Sequence, residues 1–218
     1  STSAAAGWPR KAAGLALGFS REFWEQSLIA EVYTLNAFLM LLCIVLLWRW
    51  RETREAWRLW TFAVVYGLSL GNHNTMFVLG PFFAIFVIGS DGFAPKALAR
   101  YLGLALVGVL CALAINAYLP LRSLADPAVD WGNPETLRGW WDHFSRAQYA
   151  FMVEQYPRSW DRFGRQTLSM LGLMGIQWPG FPVTLVLAVY ALKALFQPDN
   201  RPLKMLLAAV FINVFFGF

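Results

Sequence analysis

Charge is what this chain has least of. Only 14% of its 218 residues are Asp, Glu, Lys or Arg, against 58% hydrophobic and 17% aromatic. A soluble domain carries about 25% charged residues and about 45 to 50% apolar ones, so a water-soluble globule is excluded and an integral membrane protein is expected. Cysteine is almost as scarce. Cys43 and Cys111 both lie inside apolar runs with no disulfide or metal spacing, and read as packing residues. No nucleophile elbow, phosphate-cradling loop or zinc motif is present, which removes the familiar soluble chemistries. The net charge of +5 is spread over loops flanking apolar runs rather than gathered in one patch, so it argues for topology signals and against a nucleic-acid partner.

What the chain does have is apolar runs. A hydrocarbon core of about 30 Å takes about 20 helical residues, and only helices or closed barrels satisfy their backbone there. Leu28 to Trp48 is long enough to be a first complete span, behind a short apolar piece at 12–19. Trp57 to Leu70 and Thr75 to Ser90 read as two short spans meeting at the turn Gly-Asn-His-Asn, 71–74, or as one broken helix. Tyr101 to Leu119 crosses next. Val183 to Phe196 follows a break at Trp178 to Pro182, and a last span starts at Leu203. The arginine- and tryptophan-rich stretch Trp48 to Trp60 and the loop 91–100 are placed inside, which puts 71–74 and 120–166 outside. The expected fold is all-α: a polytopic transmembrane helical bundle, divided into 1–119 (transmembrane), 120–180 (non-cytoplasmic, with interfacial helices) and 181–218 (further transmembrane helices). Ser1 opens the chain and Phe218 ends it inside an apolar run, so a fragment of a larger protein is expected.

The outer segment has a pattern of its own. Asn133, Pro134 and Glu135 spell a helix start: a capping side chain, a proline at the first position and an acid at the positive end of the dipole. A helix from 134 to about 151 places Leu137, Trp140, Trp141, Phe144 and Phe151 on one face and Arg138, Asp142 and Arg146 on the other. This predicts an amphipathic helix on the outer membrane surface.

Several residues are candidates for chemistry. Glu31 is an acid near the start of an apolar span, where ionisable groups are costly and suggest function, and Ser27 and Thr34 fall on the same helical face; snorkelling to water is the plain alternative. Asn72, His73 and Asn74 offer hydrogen-bonding groups at a turn, with an imidazole that titrates near neutrality, although asparagine also simply forms turns. Arg122 follows Pro120 at a span exit, positioned to clamp a phosphate bidentately or to bind lipid headgroups. Asp126 and Asp130 read as loop acids, since no oxygen-rich ligand spacing accompanies them and no metal is expected. Trp131, Trp140 and Trp141 would stack on sugar rings or anchor the interface.

Five stretches carry a resemblance: Trp24-Glu-Gln-Ser-Leu-Ile-Ala-Glu-Val-Tyr-Thr-Leu-Asn36, Gly67-Leu-Ser-Leu-Gly-Asn-His-Asn74, Tyr118-Leu-Pro-Leu-Arg-Ser123, Asp130-Trp-Gly-Asn-Pro134 and Arg146-Ala-Gln-Tyr149. They resemble a bacterial membrane-protein family similar to the animal transmembrane O-mannosyltransferase for plexin-type domains. The resemblance implies a multi-pass GT-C glycosyltransferase, in a bacterial inner membrane, moving a sugar such as mannose from a polyprenyl-phosphate carrier to a protein or glycan acceptor on the non-cytoplasmic side. It implies no cofactor beyond the lipid-linked sugar donor, and membrane lipids as partners. By the match, Glu31 and Tyr33 face the reaction cavity, His73, Asn72 and Asn74 line it, and Arg122 is a candidate for the carrier phosphate; Asp126 and Trp131, in the same outer segment, are counted as substrate-binding candidates beside it. The family's acidic motif, which holds the expected catalytic base, has no counterpart in residues 1–20. A transporter or flippase for lipid-linked glycans, or a non-catalytic membrane subunit, is the competing class; the absence of an internal repeat weighs against the transporter.

Overall fold

The computed structural model describes residues 14–29, 32–91, 97–130, 132–155 and 159–176, with isolated positions at 186, 189, 193 and 204. Among them the regular structure is helical. We number the helices α1 (Arg21–Leu28), α2 (Tyr33–Thr53), α3 (Ala56–Ser69), α4 (Thr75–Asp91), α5 (Leu98–Asn116), α6 (Tyr118–Ser123), α7 (Leu137–Phe144), α8 (Ala150–Gln155) and α9 (Trp160–Gly175). The spans read at Val183 to Phe196 and from Leu203 lie outside the described residues, apart from the isolated helical positions Val186, Val189, Lys193 and Lys204.

Among the described residues two helical stretches are long and apolar enough to cross a membrane, Tyr33–Thr53 and Leu98–Ser123. The second contains α5 and α6, joined at Ala117, so it runs on through the exit proline Pro120 to Ser123. α2 begins at Tyr33 rather than Leu28 and continues past Trp48 to Thr53. The reason is local. Ile29 adopts an extended backbone (φ −95, ψ 134), which ends α1 before the apolar run begins to wind. At the other end Arg54 takes a left-handed φ of 57 and donates its N–H to Trp50 O at 2.7 Å, closing α2 as an αL cap.

α3 is the central element, packed against α2 on one side and α5 on the other. The α3–α5 contact is close because Gly67 faces Gly108: a methyl group on Gly67 would collide with the Gly108 carbonyl and with the Cβ of Cys111. Cys43, Leu47, Leu59 and Met76 fill the centre between α2, α3 and α4, which makes Cys43 the packing residue its surroundings predicted. Pro81 inside α4 deprives the preceding turn of a donor. Tyr66 reaches that turn and donates its hydroxyl to Met76 O at 3.1 Å.

The contacts at the helix ends show that successive helices reverse direction. Arg54, after α2, meets Asp91, the last residue of α4, at 3.0 Å and donates to Ser90 O at 2.9 Å. Asp91 also pairs with Arg100 near the start of α5 and accepts from the Tyr101 hydroxyl at 3.2 Å. The start of α2, the α3–α4 turn and the end of α5 meet at the opposite end, where the polar residues gather.

Candidate functional site

At that opposite end the α3–α4 turn is held by its own polar side chains. Asn72 Nδ2 donates to Val32 O at 3.2 Å, tying the turn to the residue before α2. Asn36, on the first turns of α2, donates through Nδ2 to Thr75 Oγ1 at 2.9 Å. The Tyr33 ring lies 5.7 Å from the His73 ring, tilted by 57°.

His73 is held in one tautomer. Its Nδ1 accepts the backbone N–H of Thr75 at 3.3 Å, which requires a free lone pair there, so the ring proton sits on Nε2. The Thr75 hydroxyl, 3.0 Å from Nδ1, must then donate to it as well. The result is a relay running from Asn36 through Thr75 to the imidazole. Partial burial lowers the His73 pKa, and the charge of Arg146 lowers it further. A neutral ring with Nδ1 occupied presents a hydrogen-bond donor, Nε2–H, and is not poised as a base.

A cavity of about 280 Å³ opens beside this turn, lined by Asn72, His73, Asn74, Phe77, Asn116, Tyr118, His143, Phe144 and Arg146 among others. Its far wall comes from α7 and the corner after it. Trp140 donates Nε1–H to Asn116 O, the end of α5, at 3.3 Å. Phe144 stacks on Trp140 (5.5 Å) and meets Phe77 of α4 edge-on at 5.8 Å. Arg146 adopts a left-handed φ of 56, which turns the chain sharply after α7.

The outer helix therefore differs from its expected form. α7 covers only Leu137–Phe144, and its cap is Thr136, whose side chain accepts from Gly139 N, rather than Asn133. Asn133 is drawn away because Ser123 Oγ sits 3.2 Å from its Oδ1 and 2.6 Å from Asp130 Oδ2. Arg138 still faces Asp142, at 3.9 Å, but Arg146 leaves the helix and joins the cavity. The apolar face of α7 meets the bundle through Trp140 and Phe144, while Leu137 and Trp141 stay exposed.

Of the sequence candidates, the structure brings Asn72, His73, Asn74 and Tyr33 together. Arg122 and Asp126 stand exposed, on α6 and on the turn after it, outside the cavity lining. Glu31 and Trp131 lie outside the described residues. Ser27 and Thr34, expected with Glu31 on one helical face, stand on different helices, because the chain is extended at Ile29 between α1 and α2. Sequence reasoning missed Asn36, Asn116, Tyr118, His143 and Arg146 as contributors. Asn36 and Asn116 carried a signal, being amides within apolar runs. Arg146 stood in one of the strings that carry the resemblance but with no role attached, and His143 carried no signal; the packing of α7 brings both in.

Residues 2–92 match the family model described as "Protein O-mannosyl-transferase TMEM260 N-terminal domain". The similarity to that family is confined to these residues. The TMEM260 match ends just past α4, so it takes in Asn72, His73, Asn74 and Phe77 of the near wall, with Tyr33 and Asn36 held against that turn from behind. The far wall, from Asn116 to Arg146, lies beyond the matched residues. No curated protein and no solved structure matches the chain.

Proposed function

We propose that this chain is part of a membrane-embedded glycosyltransferase of GT-C type, which transfers a sugar, with mannose the first candidate, from a polyprenyl-phosphate carrier to a protein or glycan acceptor on the non-cytoplasmic face. The observation that supports this reading is that the stretch similar to an O-mannosyl-transferase domain contains the Asn72-His73-Asn74 turn that lines one side of the cavity.

The chemistry suits such a site. The acceptor hydroxyl attacks the anomeric carbon while the carrier phosphate leaves, so the site needs donors where negative charge develops. His73 Nε2–H, the amides of Asn72 and Asn74, and the Tyr118 hydroxyl are donors of that kind. Tyr33 packs against His73 and fixes its ring plane. Glu31, next in sequence to the anchored Val32, is assigned a supporting role, and Arg122, Asp126 and Trp131 are assigned to the entrance used by carrier and acceptor. Tyr33–Thr53 and Leu98–Ser123 support the membrane setting by length and composition.

The test is transfer from radiolabelled polyprenyl-phosphate mannose by the full-length protein in native lipid, with and without candidate acceptor domains. Label moving to an acceptor and lost in His73→Ala supports the reading. Carrier moved across the bilayer with the sugar still attached would replace it with the transporter.

A further inference from the structure

The lining of the polar cavity is one-sided in charge. Among the described residues that line it there is no Asp or Glu, and the one permanently charged side chain is Arg146, with His73 and His143 beside it. Arg146 reaches this place through a left-handed corner, φ 56, a backbone region that non-glycine residues other than Asn and Asp seldom adopt. Its charge is felt at His73 across the cavity. Around it stand neutral donors: the Nε2–H of His73, the amides of Asn72, Asn74 and Asn116, and the hydroxyl of Tyr118.

A guanidinium ringed by neutral donors, with no carboxylate among the described lining residues, is matched to an anion with several oxygens. We propose that the cavity is a phosphate site in which Arg146 is the cation and the 72–74 turn supplies neutral hydrogen bonds. The inference rests on the transferase reading for what the phosphate belongs to, but not for the residue that holds it.

A second feature bears on the source of the phosphate. An apolar groove of about 310 Å³ runs between α3, α4 and α5, lined by residues such as Phe62, Phe83, Val87 and Leu104, and Leu70 lines both it and the polar cavity. A phosphate ester on an apolar chain could occupy both. Inorganic phosphate would fill the polar part alone.

The experiment uses the full-length protein in neutral detergent, titrated with dodecyl phosphate, inorganic phosphate and dodecanol. Saturable binding of dodecyl phosphate or inorganic phosphate is expected, with dodecanol much weaker. Arg146→Asn should weaken phosphate binding by about tenfold to a hundredfold, as the loss of a charge-assisted pair implies. Asparagine tolerates the left-handed corner, so this variant keeps the fold. Arg146→Lys, which keeps the charge but loses the planar fork, should weaken binding severalfold and decides the matter if Arg146→Asn proves unstable. Arg138→Asn, removing a cation that points to solvent, serves as the control and should bind as wild type. Competition by inorganic phosphate assigns the site to free phosphate; binding of dodecyl phosphate alone assigns it to a lipid ester. Wild-type affinity in the Arg146 variants, or equal binding of dodecanol, overturns the proposal. Because no sugar transfer enters the readout, a failed transferase assay leaves this result standing, and the reverse.

Discussion

Trp140 and Asn116 are joined by a hydrogen bond from the indole Nε1–H to the backbone carbonyl, 3.3 Å long and spanning 24 residues. It caps a carbonyl at the end of α5 and fixes α7 over the cavity. Phe144, stacked on Trp140 and edge-on to Phe77, makes the second attachment.

Trp140→Phe keeps an aromatic ring in place and removes only that donor. We expect a loss of about 1 kcal/mol in stability and about a fivefold fall in sugar transfer, the usual net value of one hydrogen bond. Thermal unfolding in detergent and the transfer assay check both. An unchanged pair of values would mean that aromatic packing alone holds α7.

Gly67→Ala introduces a methyl group against the Gly108 carbonyl and forces α3 away from α5. Overpacking of this kind costs about 1 to 3 kcal/mol, read as a lowered midpoint of thermal unfolding. Gly89 provides the comparison, because nothing lies within 4 Å of a Cβ there. Gly89→Ala should leave the midpoint unchanged or raise it slightly.

The His73 relay predicts an acid limb. The ring is neutral in the folded site, with a pKa held below the ordinary value of about 6.5 by burial and by Arg146. A depressed folded value means that its contribution is full above about pH 6.5 and is lost as pH falls through the folded pKa, where a second N–H would confront the Thr75 amide. Thr75→Val removes the hydroxyl that donates to Nδ1. The acid limb of the transfer rate should then move to higher pH, and a profile that stays in place would separate His73 from the reaction.

Asp91 ties Arg54 and Arg100 together at the other end of the bundle. Asp91→Asn should cost about 1 to 2 kcal/mol, since the carboxylate is largely shielded while both arginines are about half exposed. At temperatures where the variant is folded, its KM for the lipid-linked donor should equal that of the wild type, because the cavity lies at the opposite end.

Composition and run length by themselves determined that the chain is helical and apolar: α3, the 71–74 turn and α4 fall almost where the apolar runs and the Gly-Asn-His-Asn break place them. That legibility has a physical cause. Backbone groups in an apolar setting must bond within their own segment, so a long apolar run is already a helix before it meets any neighbour. The family resemblance was legible for a similar reason, being carried by local strings such as Gly67 to Asn74. The tertiary structure decided the rest. Ile29 in extended form separates Ser27 from Thr34, Ser123 takes Asn133 away from its expected cap, and Arg146 turns out of the α7 axis toward His73. The last two depend on contacts between different segments of the chain, and no periodicity within one segment encodes which side chain elsewhere will satisfy a donor, an acceptor or a charge.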